Sequence, residues 1–270
     1  MLITSRSNSN IKHIRSLLGR KERERTGLFF VEGIRLIVEA VELCAGITTL
    51  VVAPELLDSA LAQRVVRMQQ ALGIPCLEVS ADVFKSLSVR GGYQGLGAVV
   101  RQRWEPLEKV RLAEELCWVA LDAVQYPSNL GTILRTCEAV GGAGILLIGN
   151  TTDPYDPAAV RASMGAVFSQ RLVRTNFAEF LAWKCRHNYV VVGTSPGAEM
   201  DYQAVTYRPP VVLLMGSERA GLSREQQALC DLTIRIPMVG CTDSLNVAVA
   251  ASVVLYEMFN QRRAARGHLH

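Results

Sequence analysis

At 270 residues, 49% of them hydrophobic, the chain is long enough for one large or two modest buried cores and too apolar to be read as disordered. Its apolar stretches are broken short of a bilayer-spanning length, residues 1–6 lack the apolar core of a secretory signal, and seven scattered cysteines with four histidines offer no CxxC pair and little to build a metal site. The net charge of +4 lies entirely on the N-terminal side, where residues 1–105 hold 14 Lys and Arg against 10 Asp and Glu while residues 106–270 hold 15 against 15, so a polyanion is the natural partner.

The expectation is therefore a cytoplasmic protein with reduced core thiols, no metal and no membrane partner. Residues 10–20 set Ile11, Ile14, Leu17 and Leu18 at helical spacing, which predicts a helix with one packed side. In the first 25 residues Arg6, Lys12, Arg15, Arg20, Lys21, Arg23 and Arg25 face only Glu22 and Glu24, a density that attracts phosphate; from charge alone a solvated helix face explains it equally. A strand at 28–31, a helix over 33–44, a strand at 48–53, a helix over 55–72 and a strand at 76–79 follow in βαβαβ order. A short helix over 82–87 and the loop Arg90-Gly91-Gly92-Tyr93-Gln94-Gly95 lead to a closing strand at 96–100. The first domain is expected over 1–103, the charged, Pro106-containing stretch 104–115 as a linker, and a second domain over 116–270.

In the second domain apolar runs at 117–121, 144–148, 189–192, 211–215 and 232–236 alternate with helical segments, the pattern of a mostly parallel sheet covered on both faces, and a last helix spans about 245–263. Ligands in such sheets sit at the carboxyl ends of the strands, and three loops there carry polar residues. The first runs Leu121-Asp-Ala-Val-Gln-Tyr-Pro-Ser-Asn129-Leu-Gly131-Thr-Ile-Leu-Arg135; Ser128 or Asn129 is placed to cap a helix whose start, with Arg135, suits an anion. An ordinary cap and a surface arginine explain it as well. The second, Met215-Gly216-Ser217-Glu218-Arg219-Ala220-Gly221-Leu222-Ser223, puts a carboxylate at the sheet edge between two glycines that permit close backbone approach. The third, Ile236-Pro237-Met238-Val239-Gly240-Cys241-Thr242-Asp243-Ser244-Leu245-Asn246, delivers Ser244 as a helix cap with Asn246 one turn inside. The glycines of Gly141-Gly-Ala-Gly144 precede a strand, so a dinucleotide-binding fingerprint fails its context.

Together, in this order, the three loops closely resemble the three motifs of the SpoU/TrmH family of RNA 2′-O-ribose methyltransferases, within the SPOUT superfamily. The stretch Ile3-Thr-Ser-Arg-Ser-Asn8 through Phe29-Phe-Val-Glu32-Gly33 is similar to the substrate-binding domain, like ribosomal protein L30e, that precedes many members. The resemblance implies an α/β protein with an N-terminal L30e-like domain and a C-terminal SPOUT-type mostly parallel sheet carrying a deep trefoil knot, one of few exceptions to unknotted chains. It implies S-adenosylmethionine as cofactor, held near Leu214, Met215, Gly216, Ile236, Met238, Ser244 and Leu245. Asn129, Arg135, Glu218, Ser244 and Asn246 match the positions tied to substrate handling and catalysis, and none departs from the motifs. Arg135 is expected to bind the phosphate beside the target ribose and not to act as a base, since a guanidinium stays protonated.

A homodimer through the catalytic domain is implied as well, with RNA gripped by Arg6, Lys12, Arg15, Lys21 and Arg25 and, secondarily, by Arg90 and Gln94. Large-subunit ribosomal RNA is the preferred substrate. The alternatives are transfer RNA, a non-catalytic ribosome-assembly protein of the same fold, or a nucleotide-binding α/β enzyme with another cofactor.

Overall fold

The computed structural model describes residues 2–89, 91, 93–113 and 115–267. It forms two compact units, one of Met1–Gln102 with Tyr155–Phe168, the other of Arg103–Pro154 with Ser169–His270.

In the first unit, α1 (Ser9–Ser16) starts where the Asn8 side chain accepts the Asn10 N–H, and buries Ile11 and Ile14. The helix predicted over 10–20 ends early, because Gly19 turns extended and nucleates α2 (Arg20–Thr26), which Gly27 closes at φ 65°. No apolar periodicity announces α2; it is held by Arg23. That guanidinium is 1% exposed, donates to the Leu17 and Leu18 carbonyls at 3.1 and 2.7 Å, and lies 3.6 Å from Asp156. Arg23 is thus an internal strut and not one of the charges available to phosphate.

The sheet of this unit consists of β1 (Leu28–Glu32), β2 (Ile47–Val52), β3 (Cys76–Glu78) and β4 (Leu96–Arg101), with α3 (Ile34–Glu42), α4 (Ala60–Ala71) and α5 (Ala81–Lys85) between them. The strand order is β1-β4-β2-β3, with β4 antiparallel to both β1 and β2 at the middle of the sheet. The helix predicted over 55–72 is broken, since Pro54–Leu56 makes only a 3-10 turn and Ser59 caps α4.

The second unit holds β5 (Cys117–Asp122), α6 (Pro127–Ala139) and β6 (Gly144–Ile148). After it the chain contributes α7 (Pro157–Ser163) and most of α8 (Ala166–Ser169) to the first unit, then continues with β7 (Arg171–Thr175), α9 (Phe177–His187), β8 (Val190–Thr194), β9 (Met200–Asp201), β10 (Val211–Met215), α10 (Arg224–Leu229), β11 (Leu232–Arg235) and α11 (Val247–Ala265). The seven strands run in the order β7-β6-β5-β10-β8-β11-β9, with every paired neighbour parallel. Every residue of β6 and β10 is buried, and of β5 all but Asp122, which is why these strands read as unbroken apolar runs.

The two unpredicted strands lie at the edges. β9 has two residues, and β7 carries Arg171, bonded to Glu105 at 2.6 and 2.7 Å and lying over the Trp118 ring.

The stretch 104–115, expected as a linker, is part of the second unit. Leu107 and Val110 are buried with Trp118, Phe180 and Trp183 in its core, and the Glu105 N–H donates to the Leu172 carbonyl. In return Tyr155–Phe168 packs in the first unit, with the Tyr155 and Phe29 rings 4.6 Å apart and Arg161 3.3 Å from Glu32. The cysteines are less uniform than expected of core thiols. Cys117 and Cys137 are buried, Cys76 and Cys230 half-buried, and Cys44, Cys185 and Cys241 exposed. Among the described residues no helix is long and apolar enough to cross a membrane.

Candidate active site

The carboxyl ends of β8, β10 and β11, together with the entry to α11, line a partly open cavity of about 220 Å³. Of the residues expected around a cofactor, Met215, Gly216, Ile236, Met238, Ser244 and Leu245 line it. Leu214 does not: side chains alternate along a strand, and its own is buried in the core on the other side of β10. The wall supplied by Thr194, Ser195 and Pro196 at the end of β8 belongs to none of the three loops expected from sequence, although Gly193-Thr-Ser-Pro-Gly197 carries the small polar residues of a strand-end loop.

The turn after β10 doubles back on itself. Ser217 and Gly221 form a bridge, and a Cβ on Gly216 would stand 2.1 Å from the Gly221 oxygen and 2.2 Å from its carbonyl carbon. Only glycine fits there, and the space that its missing side chain leaves brings backbone to the cavity wall. Apolar walls from Met215, Ile236 and Leu245 beside such a turn suit a flat purine and the alkyl groups around a sulfonium sulfur, while Glu218 on the lining offsets positive charge. The residues present therefore fit S-adenosylmethionine.

Next to the cavity a chain of hydrogen bonds joins the three loops. Glu218, itself a lining residue, accepts from the backbone N–H of Gln125 at 3.0 Å, from that of Tyr126 at 3.1 Å and from the Asn129 amide at 3.0 Å. These backbone donors stand at the start of α6, whose N-cap residue Tyr126 has no side-chain cap of its own. Contrary to the expectation from sequence, neither Ser128 nor Asn129 caps that helix; a carboxylate about ninety residues further along the chain fills the role.

Asn129 in turn accepts from the Asn246 amide at 3.1 Å, and the Asn246 oxygen accepts from Ala248 and Val249 N–H at 2.9 and 3.3 Å. Asn246 is thus the N-cap of α11, which corrects both the assignment of the cap to Ser244 and the placing of Asn246 one turn inside. Ser244 lines the cavity instead.

Burial pushes the Glu218 carboxyl up, but the donors from Gln125, Asn129, its own backbone and Tyr126 outweigh it and hold the group below the usual carboxylate range. Such a fully bonded anion is a poor proton acceptor. Arg135 stays outside this chain of bonds. It lies on the exposed stripe of α6 with Ser128 and Thr132, and makes no hydrogen bond or ion pair to any described residue.

In the first unit Arg6, Lys12, Lys21 and Arg25 are exposed, Arg25 being paired with Glu22. Two expected RNA contacts have structural work. Arg15 is half-buried and donates to the Ser86 hydroxyl at 2.7 Å, and the Gln94 oxygen accepts the Ile34 N–H at 2.9 Å at the start of α3. Arg90 lies outside the described residues.

The chain is similar to known proteins along nearly its whole length. The SpoU rRNA Methylase family matches residues 117–256 and an MRM3-like substrate binding domain matches residues 8–98. The chain is 34% identical to the 23S rRNA (uridine(2479)-2′-O)-methyltransferase of Streptomyces viridochromogenes over 98% of its own length and 93% of that protein. It is 30% identical to the 23S rRNA (guanosine(2553)-2′-O)-methyltransferase RlmP of Bacillus subtilis over 95% and 98%. The crystal structure of the AdoMet-bound rRNA methyltransferase from Sinorhizobium meliloti superposes with a TM-score of 0.88 at 38% identity, covering 100% of this chain and 99% of that one. A family model spanning more than half of the chain and relatives aligned almost end to end give one answer: the protein belongs to the SpoU rRNA methylase family.

Proposed function

We propose that the protein methylates a ribose 2′-hydroxyl of RNA with S-adenosylmethionine, and that its substrate is large-subunit ribosomal RNA. The observation that carries this reading is the continuous bonding of three separate loops, through Glu218, Asn129 and Asn246, beside a cavity walled by Met215, Gly216 and Leu245. The names of the Streptomyces and Bacillus relatives, both acting on 23S rRNA, support the substrate class.

When bound, S-adenosylmethionine supplies a methyl carbon already activated by the positive sulfur, so the chain's own task is to hold a ribose oxygen in line with it. Met215, Ile236 and Leu245 bind the apolar part of the cofactor, and the tight turn at Gly216 lets backbone approach it. Ser244, one of the hydroxyls at the cavity wall, orients the ribose. Glu218, Asn129 and Asn246 are positioning residues, since their polar atoms are spent on one another and on helix starts. Arg135, with no partner among the described residues, binds the phosphate next to the target ribose and stabilises the negative charge growing on the 2′-oxygen.

The exposed cations Arg6, Lys12 and Lys21 grip the RNA backbone. The reading includes the knotted threading of the C-terminal segment, work in the cytoplasm, where such a substrate is found, and a homodimer. For the dimer the support is α11, which leaves Val249 and Tyr256, seven residues apart on one face, 48% and 47% exposed.

The test is a map of 2′-O-methyl marks in total RNA from a strain lacking the gene and from its parent. Loss of one mark in 23S rRNA is expected. Loss confined to a transfer RNA would overturn the substrate class, and an unchanged map would overturn the reading.

A further inference from the structure

In-line transfer to a 2′-hydroxyl needs the target ribose held still at the cavity, and proteins that hold single-stranded or unstacked nucleotides of RNA do so on an aromatic face. We infer that Tyr126 is that face: its ring stacks on the base of the target nucleotide while the ribose is presented to the cavity. The inference rests on the reading given under Proposed function.

Three exposed aromatic side chains stand out among the described residues: Tyr93, Tyr126 and Tyr256. Tyr93 belongs to the first unit and stands 6.0 Å from the Lys85 ammonium, while Tyr256 lies on the face of α11 assigned to the dimer. Tyr126 alone is joined to the loops of the active site. Its N–H donates to the Glu218 carboxylate at 3.1 Å, and Glu218 lines the cavity. Three residues on, Asn129 is bonded to the same carboxylate.

The mounting of the side chain is rigid and the side chain itself is idle. Gln125 donates its backbone N–H to Glu218 and its side-chain amide to the carbonyls of Ala123 and Asn150 at 3.0 and 2.8 Å. The Tyr126 carbonyl accepts the Asn129 and Leu130 N–H groups at 3.0 and 3.2 Å, and Pro127 fixes the next residue of the chain. Yet the Tyr126 residue is 54% exposed, and its hydroxyl and ring have no hydrogen bond or ring contact among the described residues. A large apolar ring held out to water on an immobilised turn does nothing for the core, and it is pre-organised for a flat partner. Because every base has a π-face, such a platform presents the nucleotide without reading its identity.

The experiment measures methyl transfer by the full-length protein to its RNA, with S-adenosylmethionine affinity followed by calorimetry, for Tyr126→Ala, Tyr126→Leu, Tyr126→Phe and Tyr126→Trp. The Ala and Leu variants are expected to lose roughly 5- to 150-fold in kcat/KM for RNA, the range of a lost base–aromatic stack. The Phe and Trp variants restore it to within about threefold, as expected if the π-face and not the hydroxyl makes the contact. Cofactor affinity stays constant throughout, which separates a stacking role from damage to the loop that Glu218 holds. Wild-type activity in Tyr126→Ala, or equal loss in Leu and Phe, overturns the inference and leaves the proposed function standing. Absence of methyl transfer by the wild type overturns that function and the inference with it.

Discussion

Arg135 is set apart from its neighbours by having nothing to do in the fold. Replacing it by alanine removes a charge-stabilising donor, and kcat/KM should fall by about 100-fold while cofactor affinity measured by calorimetry is unchanged. Lysine restores only part of the rate, since it keeps the charge and loses the fork. Gly216 gives the opposite signature. Gly216→Ala drives a Cβ into the Gly221 carbonyl, so calorimetry should show cofactor binding lost while RNA binding persists.

Glu218 links charge to stability. Its folded pKa is lowered, so its contribution is complete above the ordinary carboxylate value of 4.5 and disappears as the pH falls through the lower folded value. The gap in urea midpoint between wild type and Glu218→Gln is therefore expected to be constant near neutrality and to close below pH 4.5. A gap independent of pH would contradict the assignment. The sequence makes Glu218, Asn129 and Asn246 visible as polar residues in apolar surroundings, but their partners lie about ninety to 120 residues away, and only the folded sheet brings them together.

Among the elements, α11 depends on its N-cap, Asn246. Asn246→Ala should cost about 1 kcal/mol by urea denaturation, the usual loss of an N-cap. Asn246→Ser keeps a capping hydroxyl but is too short for Asn129, so its stability is retained and its methyl transfer falls. A serine variant as active as wild type would remove Asn246 from the positioning chain. The central strands β5, β6 and β10 are legible in the sequence because burial on both faces demands unbroken apolar runs. The edge strand β7 is not, since its arginines face Glu105 and the aromatic rings of Trp118 and Trp104. α2 escapes for a related reason: its one buried side chain is an arginine, satisfied by carbonyls that no periodicity reveals.

For the whole molecule, the central α/β elements and the three motif loops could be read from the chain, and the placing of residues 104–115 and 155–168 in their units could not. Residues 104–115 look like a linker because they are charged, yet Leu107 and Val110 anchor them in a core; Tyr155–Phe168 lies between strands of one sheet and packs with the other unit through Phe29, Glu32 and Arg23. The proposed dimer is tested at α11. Tyr256→Asp buries a charge in an apolar contact and should yield a monomer by analytical ultracentrifugation, whereas an unchanged mass would place the interface elsewhere.

The most direct trial of the account is chemical. Purified protein, 23S rRNA lacking the modification, and S-adenosylmethionine with an isotope-labelled methyl group are combined, and the RNA is digested and analysed by nucleoside mass spectrometry. Label is expected in a single 2′-O-methylribonucleoside; label on a base, or none in the RNA, would show that ribose methylation is not what this protein does.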